Sequence, residues 1–314
     1  MKDRGTKSVN EDIKQKFCRE LGEEQVLFEE PMKRHTTFRI GGPAEVFVMP
    51  KTIEQIKTAV RICREEDLDW FVLGNGSNLL VSDQGYRGVI IQMDRNIGQV
   101  TVEGTEIHAA AGALLSSIAS AARKASLTGF EFAGGIPGTL GGAVVMNAGA
   151  YGGELKDVLK EVTVMDRDGE IRIIPADELE MGYRTSIIKT AGYLVLSAVI
   201  SLEEGDGEAI LIRTRELNEK RSEKQPLEYP SAGSTFKRPE GYFAGKLIMD
   251  SGLRGYTVGG AMVSEKHCGF VINKGGATAS DVCELMNHVT EVVREKFGVT
   301  LEPEVKFLGE FDRR

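Results

Sequence analysis

The sequence predicts an α+β protein built from more than one domain, and three observations carry this reading. Hydrophobic spacing switches repeatedly between the period of two that marks strands and the 3.6 period that marks helices. A polar stretch at residues 220–230, punctuated by Pro226 and Pro230, reads as a linker. The length of 314 residues, with 41% hydrophobic content, allows two or three globular cores.

Taken in order, the chain opens with an amphipathic helix that carries Ile13, Phe17 and Leu21 on one face. After Pro31, residues 45–49 alternate as a strand. Thr52 caps a helix with Ile53, Ile56, Val60 and Cys63 inward, and residues 70–73 form a buried strand, together a βαβ unit. Short strands fill residues 89–111, and Leu114, Leu115, Ile118 and Ala121 mark a second helix. A hairpin turning at Asp166-Arg167-Asp168-Gly169 joins strands at 162–164 and 171–174. A strand at 193–202 and a charged helix at 207–221 precede the linker. Beyond it come a helix near 242–251, a strand at 269–273, a long helix with Val282, Leu285, Met286, Val289, Val293 and Phe297 inward, and a last strand at 300–308. No internal repeat or low-complexity tract interrupts this order.

Composition narrows the function classes. A net charge of −8, with no basic block, argues against nucleic acid or an acidic membrane surface as partner, while anionic small molecules remain open to local arginines and lysines. No run approaches the ~20 apolar residues of a membrane span, and residues 1–5 carry no apolar signal core, so a cytoplasmic location is expected. Cys18, Cys63, Cys268 and Cys283 lack CxxC spacing and read as free thiols. His35, His108, His267 and His288 show no metal-ligand spacing, and no metal is expected.

Nine glycines fall between Gly129 and Gly153, interleaved with Phe130, Phe132, Ile136, Leu140, Val144, Val145 and Met146. Glycine is useful where φ must be positive or where a ligand must touch bare main chain, so the run reads as a cofactor cradle with a dry wall, not as helix or paired strand. Directly after the strand at 70–73 comes Gly74-Asn75-Gly76-Ser77-Asn78-Leu79-Leu80, whose amides and hydroxyl suit a pyrophosphate nest. It is not a Rossmann fingerprint: the third glycine is missing and a turn follows where a phosphate-binding helix should begin. A simple βα turn is the alternative reading of this motif alone.

Six motifs occur in order: His35-Thr36-Thr37-Phe38-Arg39-Ile40-Gly41-Gly42-Pro43-Ala44, Leu73-Gly74-Asn75-Gly76-Ser77-Asn78, Gly134-Gly135-Ile136-Pro137-Gly138, Tyr183-Arg184, Ala232-Gly233-Ser234-Thr235-Phe236-Lys237 and Leu301-Glu302-Pro303-Glu304-Val305. In these the chain resembles the UDP-N-acetylenolpyruvoylglucosamine reductase (MurB) flavoenzyme family of peptidoglycan precursor synthesis, from His35 to Gly309. The run Phe236-Lys237-Arg238-Pro239, and a span to Glu304 too short for the tyrosine-loop insertion, resemble its shorter subclass. The resemblance implies a flavin-binding half of the vanillyl-alcohol-oxidase type in two subdomains, at residues 1–97 and 98–205, and a substrate domain at 206–314. It implies FAD held without a covalent bond and two small-molecule partners, NADPH and UDP-N-acetylglucosamine enolpyruvate. Flavin contacts are implied at Arg39, Gly74, Asn75, Gly76, Ser77, Asn78, Leu79, Ala133, Ile136, Pro137, Gly138, Gly142 and Asn147.

Reduction of an enolpyruvyl ether adds hydride to the terminal vinyl carbon and a proton beside the carboxylate, so charge builds on that carboxylate. The Arg184 guanidinium fork suits it, with Glu304 as a polarising acid and Ser234 as proton donor. Glu302, on the same face of an alternating strand, and Ser231 are the rivals for the last two roles. Tyr183, Lys224, Lys237, Arg238 and Lys246 are the candidates for holding substrate and its diphosphate. No separate NADPH fingerprint is visible, consistent with nicotinamide and substrate using one cavity in turn. Two other functions fit parts of the pattern: a sugar or lactone oxidase on the same flavin scaffold, and a nucleotide-sugar binding module without catalysis.

Overall fold

The computed structural model describes residues 9–311, so the opening residues read above for a targeting signal lie outside it. A four-stranded sheet runs in the order Val26–Pro31, Pro43–Val48, Tyr86–Gln92, Trp70–Leu73. Helix Ile53–Glu65 connects two strands of this sheet as the βαβ reading requires, but Tyr86–Gln92 inserts between them and pairs in parallel with Trp70–Leu73. Thr52 caps the helix, its hydroxyl accepting the Gln55 amide at 3.2 Å. Only Leu73 of the strand expected to be buried is fully buried, because the strand lies at the sheet edge. Ile53 and Phe297, both expected inward, are exposed. Each is the terminal residue of its helix, where the buried stripe has run past the core.

A second, five-stranded antiparallel sheet has the order Ile171–Pro175, Leu159–Met165, Leu194–Ser201, Glu106–Ala110, Val100–Glu103. Its predicted hairpin turns on Asp166, whose Oδ1 accepts the amides of Asp168 at 2.9 Å and Glu170 at 3.0 Å. The charged helix extends from Gly207 to Lys224, through the first half of the expected linker.

By compactness the chain divides into two units, neither continuous in sequence. Of the described residues the first holds 9–28, 46–75 and 88–221, and the second holds 29–45, 76–87 and 222–311. The division differs from three consecutive segments because residues 76–87 pair with the end of the chain: Leu79–Val81 runs parallel to Lys306–Leu308. The core of the first unit is built on Phe17, Ile56, Ile62, Val89, Ile91, Ile107, Ile118 and Phe130. That of the second packs Phe38, Ile40 and Leu80 with Ile248, Val282, Leu285, Val289 and Val293. In the second unit the small sheet Thr257–Val258, Ala261–Val263, Val271–Asn273 includes two strands the sequence did not announce. The last strand shrinks to Lys306–Leu308. Pro303 ahead of it has no N–H for a ladder and makes only an isolated bridge with Phe236.

Candidate active site

The glycine run is more ordered than its composition implied. Helix Leu140–Met146 lies inside it, and Gly149–Ala150 pairs with Gly153–Glu154, which corrects the expectation of neither helix nor paired strand. Several of its glycines answer to the fold itself. A Cβ at Gly153 would stand 2.7 Å from the Phe132 ring, and one at Gly149 2.7 Å from the Gly153 carbonyl oxygen. Gly142 is different: an added Cβ meets nothing nearer than Thr139 Oγ1 at 3.7 Å, although a helical glycine costs roughly 1 kcal/mol relative to alanine.

In the first unit the structure brings Gly74 and Asn75, the first two residues of the nest, against the cradle. Asn75 Nδ2 donates to the Pro137 carbonyl at 2.8 Å, and buried Thr139 fills the space a side chain on Gly74 would need, its Oγ1 2.3 Å from such a Cβ. Ala133 is buried at the end of a 3-10 turn that precedes Gly134, Gly135, Ile136, Pro137 and Gly138.

Arg184 in the same unit occupies the second corner of a tight turn closed by mutual hydrogen bonds between Gly182 and Thr185, at 3.1 and 3.3 Å. Its φ is +57°, in the left-handed region, where a non-glycine residue costs roughly 1–3 kcal/mol and where turns of this shape prefer glycine or asparagine. Exposed Tyr183, the other corner, has its ring centroid 5.1 Å from the Arg184 guanidinium. Arg39, in the second unit, is likewise a non-glycine residue at positive φ, +54°. Asn147 is 0% exposed and its side chain is committed internally, so it is a correction to the flavin-contact list: Nδ2 donates to Glu154 Oε2 at 3.0 Å and to the Gly182 carbonyl at 3.1 Å, while Oδ1 accepts the Lys156 amide at 3.0 Å.

In the second unit Ser234 and Glu304 come from segments fastened to each other. Glu304 N–H donates to the Thr235 carbonyl at 2.8 Å, and Lys237 N–H to the Glu302 carbonyl at 2.8 Å. Thr235 is buried, with its hydroxyl accepting the Val271 amide at 2.8 Å. Ser234 beside it is exposed, while Gly233 takes the positive φ of +76°. Ser231 carries its load through the main chain: its carbonyl accepts the Thr37 hydroxyl at 2.7 Å. Glu304 is buried at 8% exposure, whereas Glu302 points to solvent and pairs with Lys237 at 2.9 Å. The two glutamates therefore do not share a face, because no strand spans residues 301–305 to impose the alternation. Asn78 Nδ2 donates to the Glu304 carbonyl at 3.3 Å, and the Asn78 carbonyl accepts the Lys306 amide at 3.0 Å, while Asn78 Oδ1 is buried without a hydrogen-bond partner. Gly76 has φ +59°, and its Cβ would stand 2.2 Å from the His35 carbonyl oxygen. Neighbouring Ser77 is half-buried and Leu79 is buried in the parallel pairing with Lys306–Leu308.

The basic candidates of the second unit differ in what they hold. Lys237 pairs with Glu302, Lys246 with Asp250 at 2.7 Å one helical turn on, Arg238 lies over the Phe243 ring at 4.2 Å, and Lys224 is exposed at the end of its helix. One cation escaped the sequence reading. Arg221, in the first unit, is substantially buried beside Gly135, its Cδ 3.2 Å from where a Cβ there would stand, and burial pulls its pKa below the usual arginine range. Its place on the helix-to-linker run Arg221-Ser222-Glu223-Lys224 hid it among solvated charges. All four cysteines are free thiols, that of Cys63 pushed up to about 12 by burial, and no cluster of metal-ligating side chains occurs among the described residues.

Whether these residues fit a flavin is tested by what the fold leaves unexplained. A buried acceptor on Asn78 lacks a donor, and a helical glycine at 142 has no internal neighbour that requires it. The first suits a ligand that offers a hydrogen-bond donor and the second a ligand that approaches bare helix, so the residues present fit a flavin.

Two family models match, one described as FAD binding domain over residues 44–174, the other as UDP-N-acetylenolpyruvoylglucosamine reductase, C-terminal domain, over residues 225–308. A UDP-N-acetylenolpyruvoylglucosamine reductase of Lachnoclostridium phytofermentans is 54% identical over 306 residues, covering 96% of this chain and 99% of its own. The one of Caldanaerobacter subterraneus is 55% identical over 290 residues, covering 92% and 96%. The crystal structure of the MurB enzyme of Thermus caldophilus superposes with a TM-score of 0.78 at 37% identity, covering 90% of this chain and 98% of that one. The α+β reading and its FAD-binding domain hold, and the chain belongs to the UDP-N-acetylenolpyruvoylglucosamine reductase family.

Proposed function

We propose that this chain reduces UDP-N-acetylglucosamine enolpyruvate to UDP-N-acetylmuramate, with NADPH as electron source and FAD as bound cofactor, in the cytoplasmic steps of peptidoglycan precursor synthesis. The observation that carries the reading beyond family membership is the pairing of an exposed Ser234 with a buried Glu304 on two segments locked together through Thr235. FAD, when bound and reduced by NADPH, would supply the hydride for the vinyl carbon. The residues assigned to hold it are Arg39, Gly74, Asn75, Gly76, Ser77, Asn78, Leu79, Ala133, Ile136, Pro137, Gly138 and Gly142.

The chain's own residues then have distinct tasks. Arg184 offers a rigid two-donor fork to the substrate carboxylate, a contact that strengthens as charge develops there, and its strained corner supports such a role. Ser234 delivers the proton to the carbon beside that carboxylate. A hydroxyl is a weak acid in water yet sufficient against an enolate, and the rigid backbone on either side restricts it to one face. Glu304, kept from water, polarises or orients the reacting group. Tyr183, Lys224, Lys237, Arg238 and Lys246 are assigned to substrate, with Lys237 and Lys246 exchanging a carboxylate partner for diphosphate.

The test begins with colour. The purified protein should be yellow and release FAD on denaturation; a colourless protein that FAD cannot reconstitute would overturn the proposal at its first step.

A further inference from the structure

The mechanism asks Arg184 to hold a guanidinium steady from a backbone conformation that arginine disfavours. The turn that does this, Gly182 to Thr185, is short, is closed by only two backbone hydrogen bonds of its own, and carries two exposed residues, Tyr183 and Thr185. Something outside the turn must hold it. Two contacts do, and both come from the C-terminal end of helix Leu140–Met146. Ser186 donates its hydroxyl to the Val145 carbonyl at 3.0 Å on one side, and Asn147 donates an amide hydrogen to the Gly182 carbonyl at 3.1 Å on the other.

Asn147 is built for this position. It ends the helix in the left-handed conformation, φ 42° and ψ 60°, which asparagine tolerates better than most residues. Both its donors and its acceptor are engaged, and no water reaches it. Its second amide hydrogen holds Glu154, whose carboxylate also takes Lys156 Nζ at 2.9 Å. The Glu154 carboxyl is held below the usual carboxylate range, chiefly by that lysine's hydrogen bond, with the Asn147 amide and the charges of Lys156 and Arg184 adding to it. Asn147 thus fixes both Glu154 and the turn that bears Arg184.

We infer that Asn147 is a positioning residue for the reaction: its buried amide, bonded to the Gly182 carbonyl, sets the turn that carries Arg184. The inference rests on the carboxylate-binding role proposed for Arg184.

The experiment compares Asn147→Gly, Asn147→Asp and Arg184→Lys with the double variant Asn147→Gly/Arg184→Lys, each as flavin-loaded holoenzyme. Asn147→Gly keeps the left-handed backbone without strain and loses the amide; Asn147→Asp keeps the shape and loses both donors. Flavin absorbance and the rate at which NADPH bleaches it should stay near wild type in both single Asn147 variants. Reoxidation by the enolpyruvyl substrate should slow ~10-fold or more, and the substrate Kd read from flavin spectral change should rise. The double variant should be no slower than Arg184→Lys alone, since both changes disable one contact. Additive losses, or equal slowing of both half-reactions, would overturn the positioning role. If Arg184→Lys itself turned over at the wild-type rate, the carboxylate reading would fail instead. Should the Asn147 variants not fold, Ser186→Ala, which removes the other hydrogen bond fastening the turn to the helix, carries the same comparison, and an unchanged substrate Kd and reoxidation rate in it would reject the inference.

Discussion

Arg184 and Ser234 are both presented from backbone that a buried polar side chain fastens, but the strain sits in different places. At the arginine the reactive residue itself adopts positive φ, and its fastener, Asn147, lies 35 residues from the carbonyl it holds. At the serine the neighbouring Gly233 takes the positive φ at no steric cost, and the fastener is the next residue, Thr235, bonded to Val271 and Glu304. A long side chain can reach its target from a strained corner, whereas a short hydroxyl needs its backbone aimed without strain. Both sites depend on distant parts of their own units, the arginine through Asn147 and the serine through Val271 and Glu304; what differs is which residue bears the strain.

The largest expected effect tests the serine side. Ser234→Ala should slow substrate-dependent flavin reoxidation by ~10²–10⁴-fold in stopped flow while NADPH bleaches the flavin at nearly the normal rate, and Ser231→Ala should be close to wild type in both. A block in the Ser231 variant with a normal Ser234 variant would move the proton donor by three residues.

On the arginine side, Arg184→Lys should lose ~10²-fold in enolpyruvyl reduction, because charge without the fork is not equivalent. Arg184→Gly sharpens the contrast. It should abolish turnover yet melt no lower than wild type, since it relieves the left-handed strain. Gly233→Ala should do the reverse to stability, costing roughly 1–2 kcal/mol from backbone strain alone, as no atom lies within 4 Å of the added carbon. If Arg184→Gly melts clearly lower, the strain argument fails.

The glycines of the two motifs divide in the same way. Gly76→Val collides with the His35 carbonyl and should cost stability as well as flavin. Gly142→Ala is the cleaner probe. Without flavin it should raise the melting temperature by a few degrees, as alanine improves a helix by up to ~1 kcal/mol, and it should lower flavin content. Unchanged flavin content would remove Gly142 from the cradle.

The smallest effect concerns pH. Glu154 has a folded pKa below its unfolded value of ~4.3, so the stability it contributes is full above that value and is lost as pH falls through the folded one. Wild type and Glu154→Gln should differ in melting temperature at neutral pH and converge in acid. A constant offset down to the lowest pH would show that the carboxylate charge is not what stabilises.

Much of this was legible beforehand for physical reasons. The helices announced themselves through caps and stripes such as Thr52 with Ile56, Val60 and Cys63, and the motif loops through glycines and asparagines that regular structure does not favour. Other features have no local signal. The strands Thr257–Val258 and Ala261–Val263 are too short to show a period. The need for glycine at 76 comes from His35, the value of Asn147 from Gly182, and the left-handed corner carries an arginine where a reader looks for glycine. Glu302 and Glu304 were read as one face because alternation was assumed where Pro303 interrupts it.

The central claim is that electrons from NADPH leave this protein onto an enolpyruvyl ether and not onto oxygen. The most direct measurement is anaerobic: reduce the bound flavin with one equivalent of NADPH, add UDP-N-acetylglucosamine enolpyruvate, and follow the return of the oxidised flavin spectrum together with formation of UDP-N-acetylmuramate. The account predicts full recovery of the spectrum with one product formed per flavin. A flavin that stays bleached until air is admitted would contradict it and favour the oxidase reading.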